Sequence, residues 1–412
     1  MTGFPPGFLW GASTSAHQTE GNDVSSDWWA REGLMPGMEP SGDAVDSYHR
    51  YREDMELLAG AGCTAYRFGI EWARIEPRPG QVSRAELAHY RRMIDTAVQL
   101  GLEPVVTLQH FTAPAWFAAE GGWMGERAIE RFSSYVTTAT QILGGVNWVA
   151  TINEPNMQAM MVMLEEAMRA GKLEEWMSPT VDGGEEAQRE RIAANLPVPQ
   201  PRFGHRMVEV HHAARDNLRE RTDAKVGWTI ANGALTASPG NEEKLVEVRY
   251  NYEDLYLEGS RGDDWVGVQS YSSQQVDANG IVGHPEHPDN TLTGAAYRPD
   301  ALGMAVRHTW EKTGLPILVT ENGIATGDDE RRIAYTTEAL RTLVSAMEDG
   351  AEVRGYLHWS LLDNYEWGHW GPTFGLIAVD RETFERKPKP SLAWLGQVAS
   401  TNGSVLTEAL AR

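Results

Sequence analysis

Short runs rich in β-branched and apolar residues alternate with longer segments of helical periodicity along the chain. Such alternation is typical of a parallel sheet built from βα units. Eight runs are predicted to be strands, at residues 8–12, 64–70, 104–109, 148–153, 225–230, 265–271, 316–320 and 354–360. Because eight parallel strands close into a barrel, the sequence predicts an α/β protein with a single (β/α)₈ TIM barrel.

The 412 residues contain no linker that would divide them, so residues 1–412 are predicted to form one barrel domain. One segment departs from the βα rhythm. Residues 168–200 are rich in charge and end in Pro-Val-Pro-Gln-Pro. We expect an insertion after the fourth strand at the rim of the barrel.

Acidic residues dominate the charge: Lys plus Arg number 36 against 58 for Asp plus Glu, a formal net charge of -22. This balance disfavours nucleic acid, anionic membranes and polyanionic substrates, and it favours a neutral small molecule. No run approaches the ~20 apolar residues of a membrane span. The first residues, MTGFPPGFLWGAS, lack the features of a signal peptide, and Cys63 is the only cysteine. A cytoplasmic location is therefore expected, while the oligomeric state stays open.

Two glutamates stand at the ends of predicted strands. Glu154 follows the fourth strand in Thr-Ile-Asn-Glu-Pro-Asn, and Glu321 ends the seventh before Asn-Gly, which is read as a turn. Each alone could simply pair with an arginine. Together, at the edge where barrel enzymes carry their sites, they suit glycoside hydrolysis, which needs one protonated and one ionised carboxyl group. The residues alone do not say which glutamate has which role.

Longer motifs now carry a resemblance that covers nearly the whole chain. They are GASTSAHQTEG at 11–21, TAYRFGIEWARIEP at 64–77, TLQHFTAPAWF at 107–117, TINEPN at 151–156, LVTENG at 318–323 and GYLHWSLLDNYEWGHWGPTFGL at 355–376. In content and order they resemble glycoside hydrolase family 1. The resemblance implies a β-glycosidase that retains anomeric configuration, with carboxyl groups roughly 5–5.5 Å apart.

The resemblance also implies residue roles. Glu154 would be the general acid/base and Glu321 the nucleophile, while Arg67 would keep Glu321 ionised and Tyr271 would donate a hydrogen bond to it. The matching sugar-binding positions are Gln18, His110, Asn153, Trp359, Glu366, Trp367 and Phe374. Asn153 would contact the 2-hydroxyl, and Trp359 would lie beneath the ring. No cofactor is required.

Metal binding is not expected. His211 and His212 are neighbours on a helical segment and so face different directions, and His284 and His287 lie in a Pro-rich loop. No acidic or cysteine cluster accompanies His284 and His287.

The leading hypothesis is a β-glucosidase acting on the nonreducing terminal β-D-glucosyl residue of small β-glycosides. β-Galactosidase or β-fucosidase specificity, or transglycosylation at the same site, are the alternatives. A catalytically silent sugar-binding barrel is a remote one, because such a protein would normally have lost a glutamate. The methionines at 157, 160, 161 and 163 either pack a helix or line the aglycone side.

Three positions depart from the family pattern. Relatives often carry Asn and an aromatic residue where Gln269 and Ser270 stand, and Tyr where His17 stands. The hydrogen bonding around the catalytic centre is the part of the prediction that these departures affect.

Overall fold

The structure, a computed structural model, describes residues 4–32, 37–169 and 195–408. Eight parallel strands close a barrel, which confirms the predicted fold. We number them β1 to β8 in chain order: Leu9–Ser13, Ala65–Gly69, Glu103–Thr107, Trp148–Asn153, Lys225–Ala231, Val266–Gln269, Ile317–Asn322 and Val353–Trp359. All eight predicted runs coincide with these strands, with ends that differ by a few residues.

Helices connect the strands. Those of eight or more residues are Ser47–Ala61, Arg84–Gln99, Ala128–Ala139, Pro155–Arg169, Pro201–Arg221, Glu242–Arg249, Ala301–Thr313, Asp329–Glu348 and Pro390–Ser400. Short ones are Ala16–Thr19, Asp27–Glu32, Trp72–Ile75, Ala115–Ala119, Gly122–Met124, Thr140–Ile142, Tyr250–Asp254, Leu255–Gly259 and Ser404–Glu408. None of the helices within the described ranges is long and apolar enough to cross a membrane.

Two small sheets lie outside the barrel. One contains Asn195–Leu196, Thr236–Ala237, Gln275–Asp277 and Gly280–Val282, and the other pairs Ile377–Val379 with Arg386–Pro388. The predicted insertion at about 168–200 falls mostly on residues 170–194, which lie outside the described residues. The domain assignment for that segment therefore stays a prediction.

The inside of the barrel changes from apolar to polar along the strands. A buried apolar cluster holds Ala65 of β2 and Val105 of β3, together with residues of other strands. Side chains two residues apart on a strand point to the same face. Arg67 and Thr107 therefore lie in the next layer toward the carboxyl ends, where the barrel interior becomes polar.

Register shifts accompany both candidate catalytic positions. The β4–β5 pairing shifts between Ala150 and Asn153, and the β6–β7 pairing shifts between Val319 and Glu321. Such irregularities change the direction of the side chains that follow them. The carboxyl ends of β4 and β7 are thus the places where strand regularity gives way to the site.

The Asn322–Gly323 pair does not form the expected turn, because β7 continues through Asn322 into extended chain. Glycine is required at 323 for a different reason. A Cβ atom there would lie 2.0 Å from the carbonyl oxygen of Trp359, far inside van der Waals contact. Gly323 therefore allows the chain after β7 to approach the end of β8.

Candidate active site

A buried arginine organises the polar layer. Arg67 donates from Nη1 to Glu321 Oε1 at 2.5 Å, from Nη2 to Asn153 Oδ1 at 2.5 Å, and from Nε to Thr107 Oγ1 at 2.9 Å. The planar guanidinium fork suits this arrangement, since it presents donors in fixed directions. One side chain of β2 thereby fixes side chains on β3, β4 and β7.

Glu321 receives hydrogen bonds on both carboxylate oxygens. Oε1 accepts from Arg67 and from Gln269 Nε2 at 2.8 Å, and Oε2 accepts from the Tyr271 hydroxyl at 2.6 Å. Burial raises the pKa of Glu321 above its ordinary value, and the charge of Arg67 and these hydrogen bonds partly offset the rise. The donors stabilise the ionised carboxylate and fix its orientation.

Glu154 has the opposite environment. It follows β4 in the left-handed region, with φ of 45°, and its backbone N–H donates to Thr229 O at 2.7 Å. Its carboxyl group accepts no hydrogen bond from any residue within the described ranges. Burial raises the pKa of Glu154 well above its ordinary value, the charge of Glu321 raises it further, and Arg67 opposes both. This environment favours the protonated acid.

Gln269 is a site residue that the sequence did not reveal. Its Nε2 atom donates to Glu321 Oε1 at 2.8 Å and to Asn153 Oδ1 at 2.9 Å. From sequence, this position was a departure expected to affect the hydrogen bonding around the catalytic centre, and here its side chain supplies two of those hydrogen bonds. Gln269 lies at the end of the sixth strand, level with the polar residues that end other strands. That position could have indicated a place in the site.

Asn153 is held by four neighbours. Its Oδ1 atom accepts from Arg67, Gln269 and the Thr229 hydroxyl at 3.0 Å, and its Nδ2 atom lies 3.2 Å from His110 Nε2. Burial and the charge of Arg67 hold the pKa of His110 well below its usual range. His110 is therefore neutral, and its Nε2 accepts from the Asn153 amide.

A cavity of about 430 Å³ opens above this layer. Eight of the predicted site residues line it: His110, Glu154, Tyr271, Glu321, Trp359, Glu366, Trp367 and Phe374. Arg67 and Asn153 lie beneath, bonded to the lining. The structure thus brings both candidate carboxyl groups to one space.

Gln18 does not line the cavity. It is fully buried, its Nε2 donates to Asn364 Oδ1 and to the Tyr365 carbonyl, and its Oε1 accepts from Ser15. It lies next to Glu366, whose pKa burial raises to about 8 against hydrogen bonds from Trp359 and Gln18. Gln18 thus contacts Glu366 without lining the cavity itself.

Aromatic rings form one wall of the cavity. The His110 ring is nearly parallel to those of Trp359 and Trp367, with centroids 5.8 Å and 6.1 Å away. Trp359 Nε1 donates to Glu366 Oε1 at 3.3 Å. Flat apolar faces next to polar groups suit a pyranose, which has C–H faces and hydroxyl edges.

A second cavity, of about 560 Å³, adjoins the first at Glu154, Met157 and Tyr271. Polar side chains such as Asn232 and Gln274 contribute to its lining. Among the methionines, 157, 160 and 161 line the first cavity, whereas Met163 is buried in the core. Met163 therefore packs in the core, and an aglycone contact of the cavity-lining methionines stays a prediction.

One group in the described part of the chain has the geometry of three metal ligands: Glu253, Asp254 and His308. Asp254 already pairs with Lys312 at 2.7 Å and lies 2.6 Å from His308, so its oxygens have partners within the protein. The expectation that no metal is needed stays a prediction.

Comparison with known proteins agrees with this geometry. The profile described as glycosyl hydrolase family 1 matches residues 1–182 and 261–404. The chain is 30% identical to thermostable beta-glucosidase B of Thermobispora bispora, over 97% of this chain and 91% of that protein. It is 29% identical to beta-glucosidase A of Thermotoga maritima, over 97% and 98% of the two chains.

Solved structures are similar over the same length. The crystal structure of beta-glycosidase BGL167 is 41% identical with a TM-score of 0.85, covering 97% of each chain. The beta-glucosidase of Thermotoga maritima in complex with noeuromycin is 26% identical with a TM-score of 0.84, covering 98% and 100%. With a matching profile over most of its length and relatives that align end to end, the chain belongs to glycosyl hydrolase family 1.

Proposed function

We propose that the chain is a retaining, exo-acting β-glucosidase that hydrolyses the nonreducing terminal β-D-glucosyl residue of small β-glycosides. The observation that carries the proposal is the contrast between its two glutamates. Glu321 is hydrogen-bonded by Arg67, Gln269 and Tyr271, whereas the described residues offer the Glu154 carboxyl group no donor. The hydrogen bonds stabilise Glu321 as an anion, whereas the environment of Glu154 favours its protonated form.

In the first step, a carboxylate oxygen of Glu321 attacks the anomeric carbon. The bond between that carbon and the glycosidic oxygen breaks, and the proton of Glu154 passes to the departing oxygen. The products are a glycosyl ester of Glu321, an ionised Glu154 and the free aglycone alcohol.

In the second step, Glu154 takes a proton from water as the water oxygen attacks the anomeric carbon. The ester bond to Glu321 breaks, which regenerates its carboxylate and the acid form of Glu154. Two inversions at one carbon give net retention of configuration, and no cofactor takes part.

Glucose is the proposed sugar because the relatives aligned with nearly the whole chain include proteins named beta-glucosidase. Contacts with sugar hydroxyls are the roles proposed for Gln18, His110, Asn153, Glu366 and Trp367. Trp359 and Phe374 would pack on the ring. The formal net charge of -22 supports an uncharged substrate and argues against nucleic acid.

The test is the release of p-nitrophenol from aryl β-glycosides that differ only in the sugar. We expect the glucoside to give the highest kcat/KM among glucoside, galactoside and fucoside, and proton NMR to show β-glucose as the first product. Faster turnover of the galactoside or fucoside would contradict the glucose assignment. Release of α-glucose would contradict retention.

The two catalytic roles are separated by rescue with azide. Glu321→Gly and Glu154→Gly should each lose about a thousandfold or more in kcat. Azide that replaces the lost nucleophile gives the α-glycosyl azide, whereas azide that replaces water after Glu154→Gly gives the β-glycosyl azide. Glu76→Gln is the matched control, since Glu76 is buried, binds Trp72 Nε1 and Gly80 N, and lines neither cavity. The opposite assignment of the two azide products would overturn the roles.

We also propose a cytoplasmic location. The single cysteine, Cys63, is buried as a free thiol, which suits a reducing compartment. Fractionation of the producing cells should recover the glucosidase activity in the cytoplasmic fraction, and recovery outside the cytoplasm would contradict this.

A further inference from the structure

Behind the aromatic wall of the cavity lies His17, at a position where the family often has tyrosine. His17 belongs to the short helix after β1, and its ring is buried. Its Nδ1 atom lies 3.2 Å from Asp23 Oδ2, and its Nε2 atom lies 2.9 Å from Glu32 Oε1. The mechanism above uses none of these three residues.

The geometry identifies the charge of this ring. Each nitrogen faces a carboxylate acceptor, and only the imidazolium form can donate from both nitrogens at once. Burial alone lowers the pKa of His17, but the hydrogen bonds and charges of Asp23 and Glu32 outweigh it and raise the pKa to about 9. His17 is therefore a cation at neutral pH.

One of the two acceptors is itself fixed. Glu32 Oε2 accepts from the backbone N–H and the hydroxyl of Ser41, at 2.9 Å and 3.0 Å. No lysine or arginine of the described ranges pairs with Asp23 or Glu32. The imidazolium is therefore the counter-charge of this buried carboxylate pair, and its loss would leave two uncompensated anions.

Two aromatic rings also contact His17. Tyr365 meets it edge-on with centroids 5.9 Å apart, and Trp367 is nearly parallel to it, at 10°, with centroids 5.8 Å apart. Trp28 and Phe111 contact Trp367 edge-on, each with a centroid distance of 4.9 Å. Trp367 has φ of 48°, lines the cavity, and offers an indole N–H that donates to none of the described residues. Neighbouring rings therefore restrict the Trp367 indole on several sides, while its N–H stays available for a hydrogen bond.

We propose that His17 is a positioning residue, whose imidazolium, held by Asp23 and Glu32, fixes the indole of Trp367 for contact with the sugar. A cation within about 6 Å of an indole centroid is attracted to the ring. The two carboxylates keep that cation in place, so His17 acts on the sugar through Trp367 without touching it. The inference rests on the proposed function, because Trp367 matters only if a sugar binds beside it.

A double-mutant cycle with p-nitrophenyl β-glucoside tests this. His17→Phe keeps a flat ring but removes the charge and both donors. We expect KM to rise about tenfold while kcat changes less than about threefold, since lost sugar binding common to ground and transition states appears in KM. In the Trp367→Phe background, the same His17→Phe change should alter KM less than about twofold, because contacting residues are not additive.

A purely structural role gives a different result. It would reduce the amount of folded enzyme, so kcat per total protein would fall in both backgrounds while KM stayed constant. That outcome, or an equal rise in KM in both backgrounds, would overturn the positioning role. His89→Phe is the matched control, since His89 is buried, stacks on Tyr48 at 3.8 Å and does not line the cavity. Its KM should stay within about twofold of wild type.

If His17→Phe does not fold, His17→Gln replaces it in the cycle, since the amide keeps one donor for a carboxylate but carries no charge. The same rise in KM is expected, and an unchanged KM would contradict the role. If wild type and His89→Phe release no p-nitrophenol from any aryl β-glycoside, the proposed function fails and the positioning role with it. Normal p-nitrophenol release by His17→Phe with an unchanged KM would contradict the positioning role and leave the proposed function in place.

Discussion

Nη1 of Arg67 lies 2.5 Å from Oε1 of Glu321, and both side chains are buried. The pair is not an isolated salt bridge, because the other donors of Arg67 are used by Asn153 and Thr107. Removing charges from water is costly unless the remaining hydrogen bonds are satisfied, and here they are. The arginine thus both neutralises and orients the carboxylate.

Arg67→Lys tests the orientation separately from the charge. An ammonium group cannot reach Glu321, Asn153 and Thr107 in the directions of the guanidinium fork, so kcat should fall by about a hundredfold. The measurement is kcat on p-nitrophenyl β-glucoside. Arg386→Lys is the matched control, since Arg386 is buried and donates twice to Asp54, away from the cavity. Equal kcat values for Arg67→Lys and wild type would show that charge alone suffices.

Gln269→Leu should shift the acidic limb of the pH profile. The proposed attack requires an ionised Glu321, and Gln269 donates to its Oε1, which favours the ionised form. Removing the donor raises the pKa of Glu321. The acidic limb of the profile should therefore move to higher pH by about one unit. The measurement is kcat/KM against pH. Gln158→Leu, which removes a buried amide bonded to Gln109, should leave the limb in place. A shift to lower pH would contradict the role.

Glu321→Gln should lower the pKa of Glu154. The charge of Glu321 is one of the causes that raise it, and the amide has no charge. Infrared difference titration of the Glu154 carboxyl should show a fall of about one unit or more, whereas Glu76→Gln should leave it unchanged. A pKa that stays or rises would refute the coupling. The same fall would follow when Glu321 becomes an ester, which suits Glu154 to act as a base in the second step.

Gly323→Ala should damage stability and activity together. The added Cβ would lie 2.0 Å from the Trp359 carbonyl oxygen, so the ends of β7 and β8 must separate. We expect a fall in Tm of several degrees, with a loss of kcat/KM. Gly327→Ala is the control, because a Cβ there meets no atom within 4 Å. A Gly323→Ala enzyme with wild-type Tm would contradict the close approach.

Met157→Ala should change the preference between aglycones. Met157 lines both cavities next to Glu154, where a departing group would lie. We expect kcat/KM for the aryl glucoside to fall by about tenfold relative to cellobiose, since the thioether packs on apolar aglycones. Met163→Ala, at a core position, should lower stability and leave the ratio unchanged. An unchanged ratio for Met157→Ala would rule out an aglycone contact.

The fold could be predicted from sequence because its strands are simple in composition. β4 and β7 are buried along their whole length, which produces apolar runs that stand out between helices. The predicted ends of the strands were less accurate, because β6 ends at Gln269 and the prediction extended it to Tyr271. Polar residues at strand ends continue the β pattern, so composition alone does not mark where pairing stops.

The two glutamates could be predicted from their places at strand ends, and their roles came from the resemblance. The supporting contacts could not be found this way. The contact of Gln269 with Glu321 depends on a register shift in β6–β7, and the charge of His17 depends on Glu32, fifteen residues away. Gln18 is bonded to Asn364 and Tyr365, 346 and 347 residues later, so its contact with the sugar stays a prediction.

The contact between Arg67 and Glu321 joins residues 254 positions apart. During synthesis the guanidinium emerges long before its carboxylate, and a buried arginine without a partner is strongly unfavourable. A chain that stops before β7 therefore cannot complete the polar layer. Long-range closure of this kind comes late in folding, since the cost of ordering the intervening chain precedes the gain. The time at which glucosidase activity appears during refolding would therefore report when the barrel closes.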